Sequence, residues 1–351
     1  MKRQVLAFAA LVATTGAAQA EGSITVFGLL DANAYHKQFA GEAATNNVNS
    51  SGMTTSYLGV RGNEDLGGGL NAVFHLSSYI NVDTGVASRN TATDNFWSRG
   101  AWVGLDSSSY GTLRLGRQTT LGFLNLVRYS AFYNSAAFGP SMLHNYLPAA
   151  LSPMMTGSGS AGLGDSGWSN AIGYTSPNFG GVVGEVIVAP SEGTTAGRRA
   201  GASLNYTRGP FAIGLTIEQI DKMSLNFSKP PASILMTTSR IDNLGTSYDF
   251  GVVKVFGQFI RTSLSNAGAD IKLATAQLSA AVPIGSGQLL MAYADTKKTQ
   301  STASDQERNT MSVCYDFNLS RFTDVYAVVM NDKVTGLHDG TGAAFGIRHN
   351  F

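Results

Sequence analysis

The sequence is short of three things. A single cysteine among 351 residues rules out a module stapled by disulfides. Lys+Arg 24 against Asp+Glu 23 leaves no basic excess, so no nucleic-acid partner is expected. Charged residues make up only 13 % of the chain, where soluble domains carry about 25 %. Aromatics at 10 % exclude a disordered chain. Long apolar runs are missing as well: beyond the N-terminal stretch nothing approaches the run of about eighteen residues that a membrane helix needs. With mean hydropathy at +0.01, apolar and polar residues must be finely interleaved.

The N-terminus is a separate matter. Met1-Lys2-Arg3 is a basic start, Val5 to Val12 is a short apolar run, and Ala18-Gln19-Ala20 is a small-x-small site before Glu21. This pattern predicts a secretory signal peptide over residues 1–20, cleaved to leave 21–351; the apolar run is too short to anchor the chain in a bilayer.

Beyond it the recurring unit is about ten residues of alternating polarity, the period of a strand with two unlike faces. Ala202, Leu204, Tyr206 oppose Ser203, Asn205, Thr207, and Met311, Val313, Tyr315, Phe317 oppose Ser312, Cys314, Asp316, Asn318. Leu70, Ala72, Phe74, Leu76 oppose Asn71, His75, Ser77, with Val73 the exception, and Arg321 to Met330 does not separate into two faces. Helical spacing is not evident. Tight turns fall at 63–68, 107–111, 176–181, 209–210, 249–251, 283–287 and 318–321, rich in the Gly, Pro, Asn, Asp and Ser that reversals need. Between them lie longer Ser/Thr/Asn-rich connections, at 40–53, 82–93, 119–168, 191–199, 221–240, 263–270, 297–308 and 331–341.

Alternating short and long connections predict roughly sixteen strands with no domain boundary, the pattern of an outer-membrane barrel with short periplasmic turns and long external loops. The last residues agree, because Phe345, Ile347 and Phe351 share one face and suit the aromatic girdle of a closing strand. A soluble periplasmic β-protein with a binding role is the alternative from another class.

These residues resemble the general porins of Gram-negative bacteria, nearest the β-proteobacterial branch. The resemblance rests on six blocks in order: Ile24 to Asp31, Gly59 to Leu70, Ala101 to Leu105, Gly111 to Gln118, Tyr174 to Gly181 and Gly346 to Phe351. It implies an all-β fold, a 16-stranded antiparallel transmembrane barrel with a long third external loop folded into the lumen, here 119–168. It also implies a homotrimer in outer-membrane lipid and lipopolysaccharide that passes small hydrophilic solutes and ions by passive diffusion without a cofactor.

In such relatives acidic residues on the third loop face an arginine cluster, and fixed charges of opposite sign make a transverse field that sorts ions. The cluster maps onto Tyr57, Arg99 and Gly167, so only Arg99 keeps its charge, and no Asp or Glu lies between Thr119 and Gly164. The Phe-Gly element is present as Phe138-Gly139, preceded by Ala137. Arg61 and Arg114 fall on the polar face of their strands, and Asp31 is expected to face the lumen. With Tyr133 these residues are the candidate pore-lining set, and the resulting eyelet is expected to be weakly charged and to lean toward anions. The loop's apolar stripe, including Leu121, Leu126, Phe132, Met142 and Leu143, either packs against the inner wall or filters a neutral or amphipathic solute in a substrate-specific channel.

No catalytic or metal motif competes. His36, His75, His144, His338 and His349 are scattered without zinc-site spacing, and the Gly-rich stretches lack a phosphate-loop context. An enzyme is therefore not expected. Alternation puts Cys314 on the polar face, predicting a free thiol exposed in the lumen wall.

Overall fold

The computed structural model describes residues 22–87, 95–146, 166–191, 197–226, 233–266, 270–301 and 303–351. The proposed signal peptide and part of the third loop lie outside them.

The first half of the chain forms β1 (Ser23–Lys37), β2 (Thr45–Ser50), β3 (Tyr57–Asp65), β4 (Leu70–Tyr79), β5 (Gly100–Ser107), β6 (Gly111–Thr119), β7 (Gly167–Thr175), β8 (Val182–Ala189) and β9 (Arg199–Arg208). The second half forms β10 (Phe211–Asn226), β11 (Ser233–Asp249), β12 (Lys254–Ser265), β13 (Asp270–Ile284), β14 (Gly287–Gln300), β15 (Ala303–Asn318), β16 (Thr323–Val334) and β17 (Gly340–Asn350). Successive strands pair antiparallel, and β17 pairs back onto β1, from Leu29↔Asn350 to Lys37↔Gly342. The sheet therefore closes on itself and has no free edge, the only β arrangement that satisfies every backbone group in lipid. β2 and β3 both pair with β1, over Ala32–Lys37 and Ser23–Leu29, and act as one interrupted stave. The barrel thus has sixteen staves, as expected.

Along most strands the exposed positions are apolar. Leu204, Leu215, Leu244, Leu278, Tyr293, Met311, Val329 and Phe345 turn outward in this way, while Ser203, Thr216, Asn243, Gln277, Thr310 and Asp332 turn inward and are buried. An apolar outer face against a polar inner one is the reverse of a soluble core and matches a lipid surround.

Two expectations change. Several long connections are short: β14 runs to Gln300 and β15 starts at Ala303, and β12 and β13 stop at Ser265 and start at Asp270. Outside the apolar band both faces meet water, so alternation fades while backbone pairing continues. Secondly, β16, whose sequence did not separate into faces, alternates cleanly. Its inward residues Tyr326, Val328 and Met330 are apolar because the third loop covers them.

The third loop contains two short helices that sequence spacing did not reveal. α1 (Leu121–Arg128) is capped by Thr120, whose side chain accepts from the Phe123 N–H, and α2 (Pro140–Asn145) starts after Gly139 with Pro140 at a position that needs no N–H.

Candidate functional site

The third loop is fixed to the inner wall by inward-facing side chains of β10 to β15. The Gly122 N–H donates to Glu218 Oε1 at 2.8 Å, and Asn125 Nδ2 donates to the Asn243 carbonyl at 3.0 Å. Gln258 Nε2 donates to the Leu126 carbonyl at 2.6 Å, and the Ala131 N–H to Ser279 Oγ at 3.1 Å. The Ser141 N–H donates to Gln277 Oε1 at 2.9 Å. All but the Asn125 bond serve loop backbone groups that would otherwise be buried unpaired. Between them Leu126, Phe132, Phe138 and Leu143 are buried against Ile241, Ile260, Phe256, Leu290 and Met330, and the buried Tyr129 ring lies over Gly245.

The loop's far end is held by a buried polar cluster. His144 Nε2 lies 2.7 Å from Thr310 Oγ1, whose hydroxyl donates to Asp332 Oδ1 at 2.6 Å. The hydroxyl proton is thus spent on the carboxylate, so Nε2 carries the imidazole proton and Nδ1 accepts from Thr296 Oγ1 at 2.7 Å. Arg308 and Asp332, both fully buried, form a two-pronged pair at 2.9 Å, and Arg308 also donates to the Leu143 carbonyl. The Ala40 N–H donates to Asp332, tying the first loop to the same point. Burial, with Arg308 close by, holds the His144 imidazole well below its usual range and therefore neutral; Asp332 only partly offsets this.

The opposite wall, β1 and β3 to β6, is bare of the loop helices and carries the basic residues. The Arg99 guanidinium lies 3.9 Å from the centre of the Tyr57 ring, Arg61 5.2 Å from Phe27 and Arg114 5.7 Å from Trp102. Arg99 also reaches Ser77 Oγ, and Arg114 Nη2 donates to Thr175 Oγ1 at 2.7 Å. On the loop, α1 buries Leu121, Gly122, Asn125 and Leu126 and leaves Arg128 exposed in its last turn. Arg128 is the one Lys, Arg, Asp or Glu among the described residues of the loop from Thr120 to Tyr146.

A closed barrel narrowed by an inward loop, apolar outside and basic on one inner wall, can now be set beside known proteins. Residues 7–337 match the family described as Gram-negative porin. The chain belongs to the Gram-negative porin family. It is 33 % identical over 382 residues to outer membrane porin protein 32 of Delftia acidovorans, covering 100 % of both chains. It is 28 % identical to an outer membrane porin of Bordetella pertussis, again over 100 % of both. Among solved structures it resembles an anion-selective porin from Comamonas acidovorans, with TM-score 0.76, 29 % identity and coverage of 94 % of this chain and 100 % of that one. The protein is accordingly an outer-membrane channel.

In this porin Tyr57, Arg61, Arg99 and Arg114 come together on one wall, and Tyr133 is exposed on the loop with a left-handed backbone at φ 46°. Three candidates are placed differently. Asp31 turns inward as expected but is fully buried, accepting from the Met53 and Thr54 N–H groups at 2.8 and 2.7 Å and from the Tyr326 hydroxyl at 2.7 Å. It fixes the turn between β2 and β3 instead of meeting solute. Phe138 is fully buried in the cluster under the loop, and Gly139 is the N-cap residue of α2. Phe138 is withdrawn from the passage because the loop's apolar side chains serve its attachment. Cys314 is likewise inward but sealed beneath that cluster, so the expected exposed thiol is absent.

Sequence reasoning missed Arg128, because a lone arginine after an apolar run carries no motif. It also missed the Arg308–Asp332 pair, joined only when β15 and β16 come into register.

Proposed function

We propose that this porin is a general diffusion channel for small hydrophilic solutes that leans toward anions, working as a homotrimer after loss of residues 1–20. The observation that carries the selectivity is the charge of the narrowing: Arg61, Arg99 and Arg114 on the wall and Arg128 on the loop, with no Asp or Glu among the loop's described residues. Fixed charge of one sign in a confined, poorly screened passage enriches counter-ions. None of the salt bridges among the described residues involves these four arginines. Glu185 is the nearest offset, reached from Arg114 only through Thr175.

The relatives agree with this reading: one solved structure is of an anion-selective porin, and an OmpT structure of Vibrio cholerae is a trimer form. Tyr57 and Tyr133 supply the uncharged part of the lining, while Asp31, Phe138 and Gly139 hold the segments that shape it. The test is the reversal potential in a KCl gradient across a planar bilayer. Chloride should permeate better than potassium, the double variant Arg99→Asp, Arg128→Glu should invert that order, and cation selectivity in the unaltered protein would refute the assignment.

A further inference from the structure

We propose that the basic wall is a track for planar aromatic carboxylates, for which benzoate is the simplest probe. The proposal rests on the anion-favouring reading of the same passage and adds a second element to it, a continuous row of rings.

Four rings stand side by side on adjoining strands. The centres of Tyr57 and Phe27 are 6.0 Å apart and those of Phe27 and His75 5.3 Å; His75 stacks on Trp102 at 5.6 Å with the planes 4° apart. All four are partly exposed. Arg99, Arg61 and Arg114 lie against three of them, so cations and rings form one row across β1 and β3 to β6.

The backbone makes room for this row. A Cβ at Gly59 would come within 2.5 Å of Phe27 Cζ, and one at Gly100 within 3.0 Å of the His75 ring. Glycine at these inward positions lets the rings lie along the wall instead of projecting across the passage. The loop adds the exposed Arg128 and Tyr133, again a cation and a ring.

The chemistry selects one solute class. A carboxylate pairs with a guanidinium through two parallel hydrogen bonds, and a flat ring gains from offset stacking on rings and from nearby cations. An inorganic anion uses only the first contact and a neutral aromatic only the second. A sugar could stack, but its hydroxyl protons need acceptors, and guanidinium groups only donate.

The experiment measures block of chloride current through the reconstituted porin by benzoate, cyclohexanecarboxylate and benzyl alcohol. Benzoate should halve the current at about three- to tenfold lower concentration than cyclohexanecarboxylate, which has the same charge but no flat ring. The Tyr57→Leu, Trp102→Leu double variant should bring the two acids together, and Arg99→Gln should weaken both acids without changing benzyl alcohol. Equal block by the two acids in the unaltered protein, or no block by either, overturns the track while leaving anion selectivity standing. That comparison needs no variant to fold. Cation selectivity would instead overturn the reading on which the track depends.

Discussion

Acid should loosen the third loop, and His144 should be the cause. Its imidazole is fully buried, with Thr296 and Thr310 each 2.7 Å from a ring nitrogen, and the Arg308 charge beside it is already matched by Asp332. Other charged groups on this side are Lys298, also inward on β14, Glu42 on the first loop, and Lys37, which shares the Phe39 ring with Arg308. A proton added to His144 would be a buried positive charge with no free partner. The sign follows from proton counting: the undocked loop takes up a proton near pH 6.5 and the docked loop only at much lower pH, so docking is fully stable above about pH 6.5 and weakens as pH falls. Each pH unit in that window removes about 1.4 kcal/mol, so two units favour undocking about a hundredfold more than at neutral pH. Single-channel records should show current fluctuations growing between pH 6.5 and 4.5. His144→Gln, whose amide supplies both donor and acceptor groups and does not titrate, should be quiet across the range. Fluctuations that persist unchanged in His144→Gln, or a wild-type channel that is as quiet at pH 4.5 as at pH 7.5, would refute the reasoning.

Other outcomes follow from the same packing. Cys314 should resist a membrane-impermeant thiol reagent in the folded porin and react fully after heat denaturation, because the loop cluster seals it; labelling of the folded protein would contradict that burial. At Gly245 a Cβ would overlap the Tyr129 ring, so Gly245→Val should lift the C-terminal end of α1 from the wall. Overpacking of this kind costs about 1–3 kcal/mol, readable as noisier conductance and a lower temperature of heat-modified gel migration, whereas unchanged behaviour would show that the loop yields freely at this point.

How much of this was legible in the sequence depends on what each face meets. Where the outer face is apolar and the inner face mostly polar, as in β9 and β15, alternation gave the strand and its orientation directly. Where the inner face met the loop, as at Tyr326, Val328 and Met330, both faces were apolar and the period vanished. The same ambiguity hid α1: Leu121, Gly122, Asn125 and Leu126 have helical spacing, but Phe123, Leu124 and Val127 blur it. Family blocks placed the turns and the loop, yet they could not separate side chains that line the passage from those that anchor the loop. Phe138 and Tyr133 are both aromatic loop residues five positions apart, one fully buried and the other 47 % exposed. That division depends on which residues the wall of β12 to β17 receives, and local sequence does not encode it.

The near balance of 24 basic and 23 acidic residues conceals a separation in space. Five acids on the inner wall are occupied: Asp332 with Arg308, Asp316 and Asp324 with Arg348, Asp31 with two N–H groups and a hydroxyl, Glu218 with the first turn of α1. Each neutralises or anchors something structural. Arg61, Arg99, Arg114 and Arg128 are instead set against rings or left exposed, and a ring offsets little of a guanidinium's charge. The passage is thus positive because these acids are consumed in structural pairings, even though basic residues are hardly in excess. It follows that freeing one such acid should reduce anion selectivity as surely as removing an arginine. Arg348→Gln would leave Asp316 and Asp324 unpaired at the inner wall, and its reversal potential should move toward zero, although no arginine of the basic wall has been touched.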